Sequence, residues 1–405
     1  MRVMGSVRAL VVVFALAGFF MAQAVSRMPT LRDQVDASTA RLGLALLGLG
    51  VGSMVAMPWT ARLTDRFGSA AVVGVTGVLA AVGWAGLAVV QTPGALTVAI
   101  LFLGACVGTW DVSMNVQGNT LERLRKRVLM PRLHAGFSAG TVAGALLGAG
   151  SAAAGVPLGV QLPAVSVAGA ATLLWCVRQF APDLRQRPGA TAAEDATPPA
   201  RAAGLSGLEL VLGLLTFSTA LGEGASNDWL ALVLVDERGA PESLGALTFA
   251  FFNVAMTVGR LGGGELIRRT GRVPVLRLAG VTAVTGVLLV ALVPHLTAAV
   301  TGGMLWGLGL AVVFPAAMSA AGEIPDRGAH AIGVVSTIGY AGFLAGAPTI
   351  GFVAEHVGLD HALVLVAVVC SLVFLLAPAA RERQSTVARP ASSRATGTRN
   401  GEQDT

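Results

Sequence analysis

The sequence predicts an all-α membrane protein with twelve transmembrane helices in two six-helix, pseudo-symmetric halves. Three observations carry this reading. The first is composition. Hydrophobic residues are 54% of the chain and charged residues 12%, with a mean hydropathy of +0.72, whereas a soluble domain carries about 25% charged residues. The second is a series of apolar runs. A spanning helix needs about 20 mostly apolar residues, and such runs occupy 9–28, 42–59, 70–90, 95–118, 133–156, 158–177, 208–235, 244–263, 273–293, 298–320, 329–354 and 361–379. The third is a weak internal repeat. Leu42-Gly43 open a helix that closes on Leu63-Thr64-Asp65-Arg66-Phe67-Gly68, and Leu244-Gly245 open one that closes on Leu266-Ile267-Arg268-Arg269-Thr270-Gly271. The offset is 202 to 203 residues, and Gly104 and Gly307 keep it.

Taken in order, the first run follows Arg2 and Arg8 and ends in Ala22-Gln23-Ala24, a pattern shared with signal-peptide cleavage sites. Cleavage before Val25 would leave eleven spans and spoil the charge topology, so a retained helix is expected. With the N-terminus inside, 24 of the 28 Lys and Arg fall on the inner loops and 4 on the outer ones. That bias puts both termini in the cytoplasm and the protein in the inner (plasma) membrane. A net charge of +6 would suggest nucleic acid in a soluble protein; here it records topology, and the expected partners are the lipid bilayer, a small-molecule substrate and protons. Tight turns join some runs, as at 91–94 and 156–158. The stretch 181–204 is rich in Pro, Ala and charge and reads as a disordered cytoplasmic linker. It divides the chain into a half at 1–180 and a half at 205–380, with a polar tail at 381–405. Cys106, Cys176 and Cys370 lie far apart inside apolar runs and read as packing residues, with no disulfide framework or metal site.

The Asp65-Arg66-Phe67-Gly68 turn resembles the most recognisable motif of the major facilitator superfamily, Gly-x-Leu-Ala-Asp-Arg-x-Gly followed by Arg-Lys. Leu63, Asp65, Arg66 and Gly68 match it, Ala61 replaces the first Gly, and Ser69-Ala70 replace the basic pair. The second half keeps Gly264, Leu266, Arg269 and Gly271, with Arg268 where the Asp would stand. At finer grain the chain resembles bacterial permeases distantly similar to fucose permease. The segments that carry this likeness are Asp111 to Gly118, His134 to Ser138, Glu223 to Ala225, and Asp228-Trp229. Drug:proton antiporters of the superfamily usually carry an Arg in the fourth helix and a Gly-Pro pair in the fifth. Here 96–118 contains no Arg, and Gly144 is followed by Ala145. The resemblance implies a monomeric secondary transporter working by alternating access. A metabolite or drug exporter of the same fold, and a non-transporting membrane sensor, are the alternatives. No cofactor or enzyme activity is expected, and no Walker A pattern points to ATP drive.

Carboxylates inside the bilayer are the most informative candidates, because a charged group at the centre costs about 2.5–3.5 kcal/mol on insertion scales and persists mainly where it faces a wet cavity. Asp111 shares a helical face with Gly104, Gly108, Asn115 and Gly118, roughly 22 Å from the outer boundary at about 1.5 Å per residue. Thr216, Thr219, Glu223 and Asn227 form a second stripe, with Glu223 roughly 22 Å from the inner boundary. Asp111 and Glu223 are thus the expected proton-coupling pair. Gln23, Arg27, Asn115, Asn227, Asn253, Trp306 and Tyr340 are the expected substrate contacts. Gating is expected of Asp65 and Arg66 inside, where the resemblance implies docking of Asp65 at the N-terminus of the eleventh helix. Outside, it is expected of Arg27 with Asp228. That outer pairing requires the helix to bend near Gly222 and Gly224, since Asp228 lies about 140° around from Glu223. Two motifs mislead. Gly136-Phe137-Ser138-Ala139-Gly140 imitates a hydrolase elbow, but Gly136, Gly140, Gly144 and Gly148 continue at every fourth position, as helix-packing glycines do. Gly48, Gly50 and Gly52 imitate a dinucleotide loop with no strand before them.

Overall fold

A computed structural model describes residues 2–127, 129–183, 204–325 and 327–382. The described residues form helices and turns, without a strand. Eleven of these helical stretches are long and apolar enough to cross a membrane. The expected run at 133–156 is the one outside that set. It forms a helix of 24 residues, Met130–Ala153, in which Gly, Ser and Thr hold the hydropathy down. The linker over 181–204 and the tail over 381–405 lie outside the described residues except at their edges.

The segment 2–183 contains α1 (Arg2–Val25), a short α2 (Met28–Gln34), α3 (Thr39–Phe67), α4 (Ser69–Gly86), α5 (Pro93–Arg125), α6 (Met130–Ala153) and α7 (Leu158–Val177). The segment 204–382 contains α8 (Gly207–Asp236), α9 (Glu242–Thr270), α10 (Arg272–Leu292), α11 (Leu296–Leu310), α12 (Val313–Gly322), α13 (Gly328–Val357) and α14 (Leu359–Leu376). Two of the expected spans, present at Leu296–Gly322 and Val7–Val25, differ in detail. The run at 298–320 is broken between Leu310 and Val313. Pro315 explains the break, since its ring clashes with the carbonyl four residues back, at Ala311, and it donates no hydrogen bond. The first run ends at Val25, and the chain then makes α2, with Pro29 in its first turn.

Within each segment the packing is extensive. In the first, α1 lies on α6, α3 on α5, and α4 on α5 and α7; in the second, α8 lies on α13 and α14, α10 on α11 and α14, and α9 on α11. The α1–α6 contact shows what the glycine stripe is for. A methyl on Gly140 would overlap the Ala15 carbonyl, and one on Gly144 would sit 2.5 Å from the Phe19 carbonyl oxygen. Only glycine lets the two backbones approach this closely.

The sequence repeat has a structural counterpart. Both α3 and α9 run for 29 residues and end on a glycine with positive φ, +82° at Gly68 and +85° at Gly271. The helix that follows each is capped by a carboxylate from beyond the last helix of its segment. Ser69 donates its hydroxyl to Asp183 at 2.6 Å, and the Arg272 backbone N–H donates to Glu382 at 2.6 Å. A negative charge at a helix N-terminus complements the helix dipole.

The two segments meet through α3 on α13 and α6 on α9. Their close contacts gather at the end of the bundle where Thr39, Glu242 and Glu355 lie, called here the Glu242 end. A methyl on Gly43 would meet the Ala347 carbonyl there, and Ala22, Val25, Ala145, Phe249 and Ala250 form a small apolar plug between α1, α6 and α9. At the opposite, Gly68 end, the Asp183 and Glu382 caps each stay within their own segment.

Candidate functional site

Three helices, α5, α8 and α9, carry polar stripes at half-buried or exposed positions. On α5, Asp111 is exposed, and the Asn115 amide donates to its backbone carbonyl at 2.9 Å and to its carboxylate at 3.4 Å. On α8, Thr216 is sealed by a bond to the Val335 carbonyl at 2.8 Å, but Glu223 and Asn227, further along, are only half-buried. On α9, Asn253, Thr257 and Arg260 recur at spacings of four and three, below the plug residue Phe249. The α8 and α9 stripes meet where Arg260 reaches Glu223 at 3.4 Å. Counting charges along the sequence assigns Arg260 to an inner loop; the structure places it inside α9, opposite the middle of α8.

At the Glu242 end a polar network gathers around Arg27. Arg27 donates to Glu242 at 3.1 Å, to the Val156 carbonyl at 3.1 Å and to the Gln161 side chain at 2.6 Å. Gln161 donates onward to Gln23 at 2.5 Å, and Gln23 to the Gly144 carbonyl at 2.7 Å. Glu242 also accepts from the Thr30 hydroxyl. Arg32 pairs with Asp236, and the Ala40 backbone N–H donates to Glu355 at 3.1 Å. The contacts from Arg27, α2 and α3 to α8, α9 and α13 cross between the segments.

The expected partner of Arg27 is Asp228, and the structure supplies Glu242 instead. α8 runs as one helix from Gly207 to Asp236 through Gly222 and Gly224, so no unwinding there turns Asp228 toward Arg27. Asp228 makes no hydrogen bond or ion pair among the described residues. Glu242, Gln161, Thr30 and Asp236 are absent from the sequence-based candidates. Glu242 is 215 residues from Arg27 and looks like an ordinary first-turn acid of α9, so nothing local marks it.

The other candidates separate by exposure. Gln23 and Arg27 belong to the buried network. Trp306 is fully buried, edge-on to Phe252 at 5.8 Å between ring centres, and packs behind Gly222, where no solute reaches it in this conformation. Asn253 turns its amide back to the Phe249 carbonyl at 2.9 Å. Tyr340 is exposed on α13. Asp65 and Arg66 are exposed in the last turn of α3, with Arg66 over the Phe67 ring at 5.3 Å. In the matching turn of α9, Glu265 supplies the carboxylate that Arg268 displaces from the motif, pairing with both Arg268 and Arg269. No cluster of His, Cys, Asp and Glu able to hold a metal occurs among the described residues.

Comparison with known proteins agrees with this architecture. The sequence profile of the Major Facilitator Superfamily matches residues 8–346 and 212–401. An uncharacterised MFS-type transporter of Yersinia pestis is 33% identical over 378 residues, 92% of this chain and 94% of the relative. An uncharacterised transporter of Sinorhizobium fredii is 32% identical over 381 residues, 91% of this chain and 96% of the relative. Among solved structures, a mutant form of the nucleoside transporter NupG superimposes with a TM-score of 0.77 at 16% identity, covering 94% of this chain and 100% of that one. At that identity the likeness is one of fold.

Proposed function

The chain belongs to the Major Facilitator Superfamily and is a membrane transporter, and on that premise we propose that it moves a small polar solute by alternating access, coupled to protons. The observation that carries the coupling is a pair of thinly held carboxylates, one per segment. Asp111 receives one amide at 3.4 Å and Glu223 one guanidinium at 3.4 Å. A carboxylate retained for structure looks different, as Glu209 does: fully buried and gripped by Arg327 at 3.0 and 2.9 Å. An acid left open to a wet interior is able to take up and release a proton as access changes.

In this reading the α6 helix is the twelfth span. The halves are residues 1–180 and 205–380, joined by 181–204 and followed by the tail 381–405, and the protein works as a monomer in the inner membrane. The distribution of Arg and Lys makes the Gly68 end cytoplasmic. The structure then corresponds to a state closed outside by the Arg27–Glu242 network and open toward the cytoplasm. Asp65 and Arg66 stand at the open end, ready to engage the N-terminus of α13 in the opposite state. The likeness of Asp111 to Gly118 to permeases related to fucose permease, and the missing drug-antiporter signatures, support a small polar solute over a drug.

The test uses the full chain in liposomes that entrap pyranine. Panels of sugars, organic acids, amines and nucleosides are added outside, and a solute-dependent change of internal pH is expected for the transported class. Asp111→Asn or Glu223→Gln is expected to abolish that pH change while leaving solute exchange intact. Proton flux equal to that of the parent protein in both variants would refute the assignment of coupling to these residues.

A further inference from the structure

Arg260 differs from the other well-connected arginines of the bundle. Arg27 has three polar partners and is 6% exposed, and Arg327 holds Glu209 with two hydrogen bonds. Arg260 has one contact, at 3.4 Å, with a side chain 45% exposed, against a Glu223 that is 27% exposed. Most of its donor fork is unused. A guanidinium and a carboxylate left half-open in the middle of helices do not face lipid, where charge is expelled. That places them toward the interior between the segments, and exposure along the α9 stripe rises from Phe249, buried in the plug, through half-buried Asn253 and Thr257 to exposed Arg260.

We infer that Arg260 is the anchor of the solute site and that the transported solute carries a carboxylate, which displaces Glu223 from Arg260 when it binds. The planar guanidinium matches a carboxylate through two parallel hydrogen bonds, and the single long contact to Glu223 leaves that geometry vacant. Glu223 acts as the stand-in ligand that keeps the empty site neutral. Thr257 and Asn253, one and two turns away on the same face, are positioned to take the hydroxyl or carbonyl groups of a small organic acid. This assignment rests on the transporter reading above and adds the charge of its cargo.

The experiment reads Arg260 directly. Full-length protein in detergent is treated with phenylglyoxal, which modifies accessible arginines, and the labelling rate of Arg260 is followed by peptide mass spectrometry. The probes are acetate, lactate, gluconate and benzoate, each against its own amide, with ionic strength held by chloride. At least one carboxylate is expected to slow labelling of Arg260 severalfold, its amide and chloride not at all. Glu223→Gln is expected to raise the unprotected rate and to strengthen protection by the same carboxylate. Arg327 in the same digest serves as the fold control and is expected to label slowly throughout. Absence of protection by all four carboxylates in both proteins, or equal protection by acid and amide, would overturn the inference. Proton-linked solute flux without carboxylate protection keeps the coupling reading and sinks this one; carboxylate protection without any proton-linked flux does the reverse.

Discussion

The two ends of the bundle are built on different terms. At the Glu242 end, the segments are tied by the Arg27–Glu242 and Arg32–Asp236 pairs, by the Glu355 cap on Ala40 and by an apolar plug. At the Gly68 end, Asp183 caps α4, Glu382 caps α10 and Arg272 pairs with Glu323, each within its own segment. On the alternating-access reading proposed above, contacts within a segment hold the fold, whereas contacts between segments hold a state. A partly exposed pair such as Arg32–Asp236 contributes about 0.2–1 kcal/mol, and the more buried Arg27–Glu242 pair costs more to break.

That distinction breaks most visibly inside a segment. Gly140→Leu drives a side chain into the Ala15 backbone, and overpacking costs about 1–3 kcal/mol even where neighbours can shift. Here the neighbour is a carbonyl, so loss of the monodisperse peak in fluorescence-detected size exclusion is expected. Gly262→Leu, with nothing within 4 Å of the new side chain's first carbon, is expected to keep the peak.

Between the segments, Glu242→Gln should have the largest effect on state without loss of fold. It removes the charge opposite a guanidinium that is only 6% exposed, and breaking a buried pair costs about 3–5 kcal/mol. Arg27 keeps Val156 and Gln161 as partners, which reduces the cost. Spin labels at Arg41 and His356, exposed positions on α3 and α13, are expected to show a longer distance as the dominant population. An unchanged distance distribution would mean that the plug alone closes this end.

Asp236→Asn should act in the same direction and less strongly. Arg32 and Asp236 are 19% and 25% exposed, and a surface pair is worth about 0.2–1 kcal/mol. A severalfold rise in the open population is expected in low salt, fading as salt approaches about 1 M, where the Debye length falls to about 3 Å. The same spin-label pair reports it. Glu355→Gln should be the mildest of the series, because the amide oxygen can still accept from the Ala40 N–H and only the charge at the helix N-terminus is lost, about 0.3–1 kcal/mol. A larger shift from Glu355→Gln than from Glu242→Gln would reverse the ranking and move the latch from α1–α9 to α3–α13.

What one chain segment imposes on itself is legible in the amino-acid sequence. Apolar runs report burial in lipid, and residues three or four apart share a helical face. The helices, the stripes around Asp111 and Glu223, and the glycines at every fourth position of α6 all follow from local geometry. Pro315 is visible too, but the apolar run continues across it and hides the break between α11 and α12. Partner choice between distant segments is not legible. Arg27 meets Glu242 and not Asp228, while α8 continues as helix through Gly222 and Gly224 and packs against α13 and α14. Arg260 reads as an inner-loop charge by counting, yet α9 continues as helix through Thr270 and carries it opposite Glu223. Charge has no periodicity that names its partner. Only the approach of two helices in space, set by side chains far from either charge, decides which arginines are saturated and which keep a hand free.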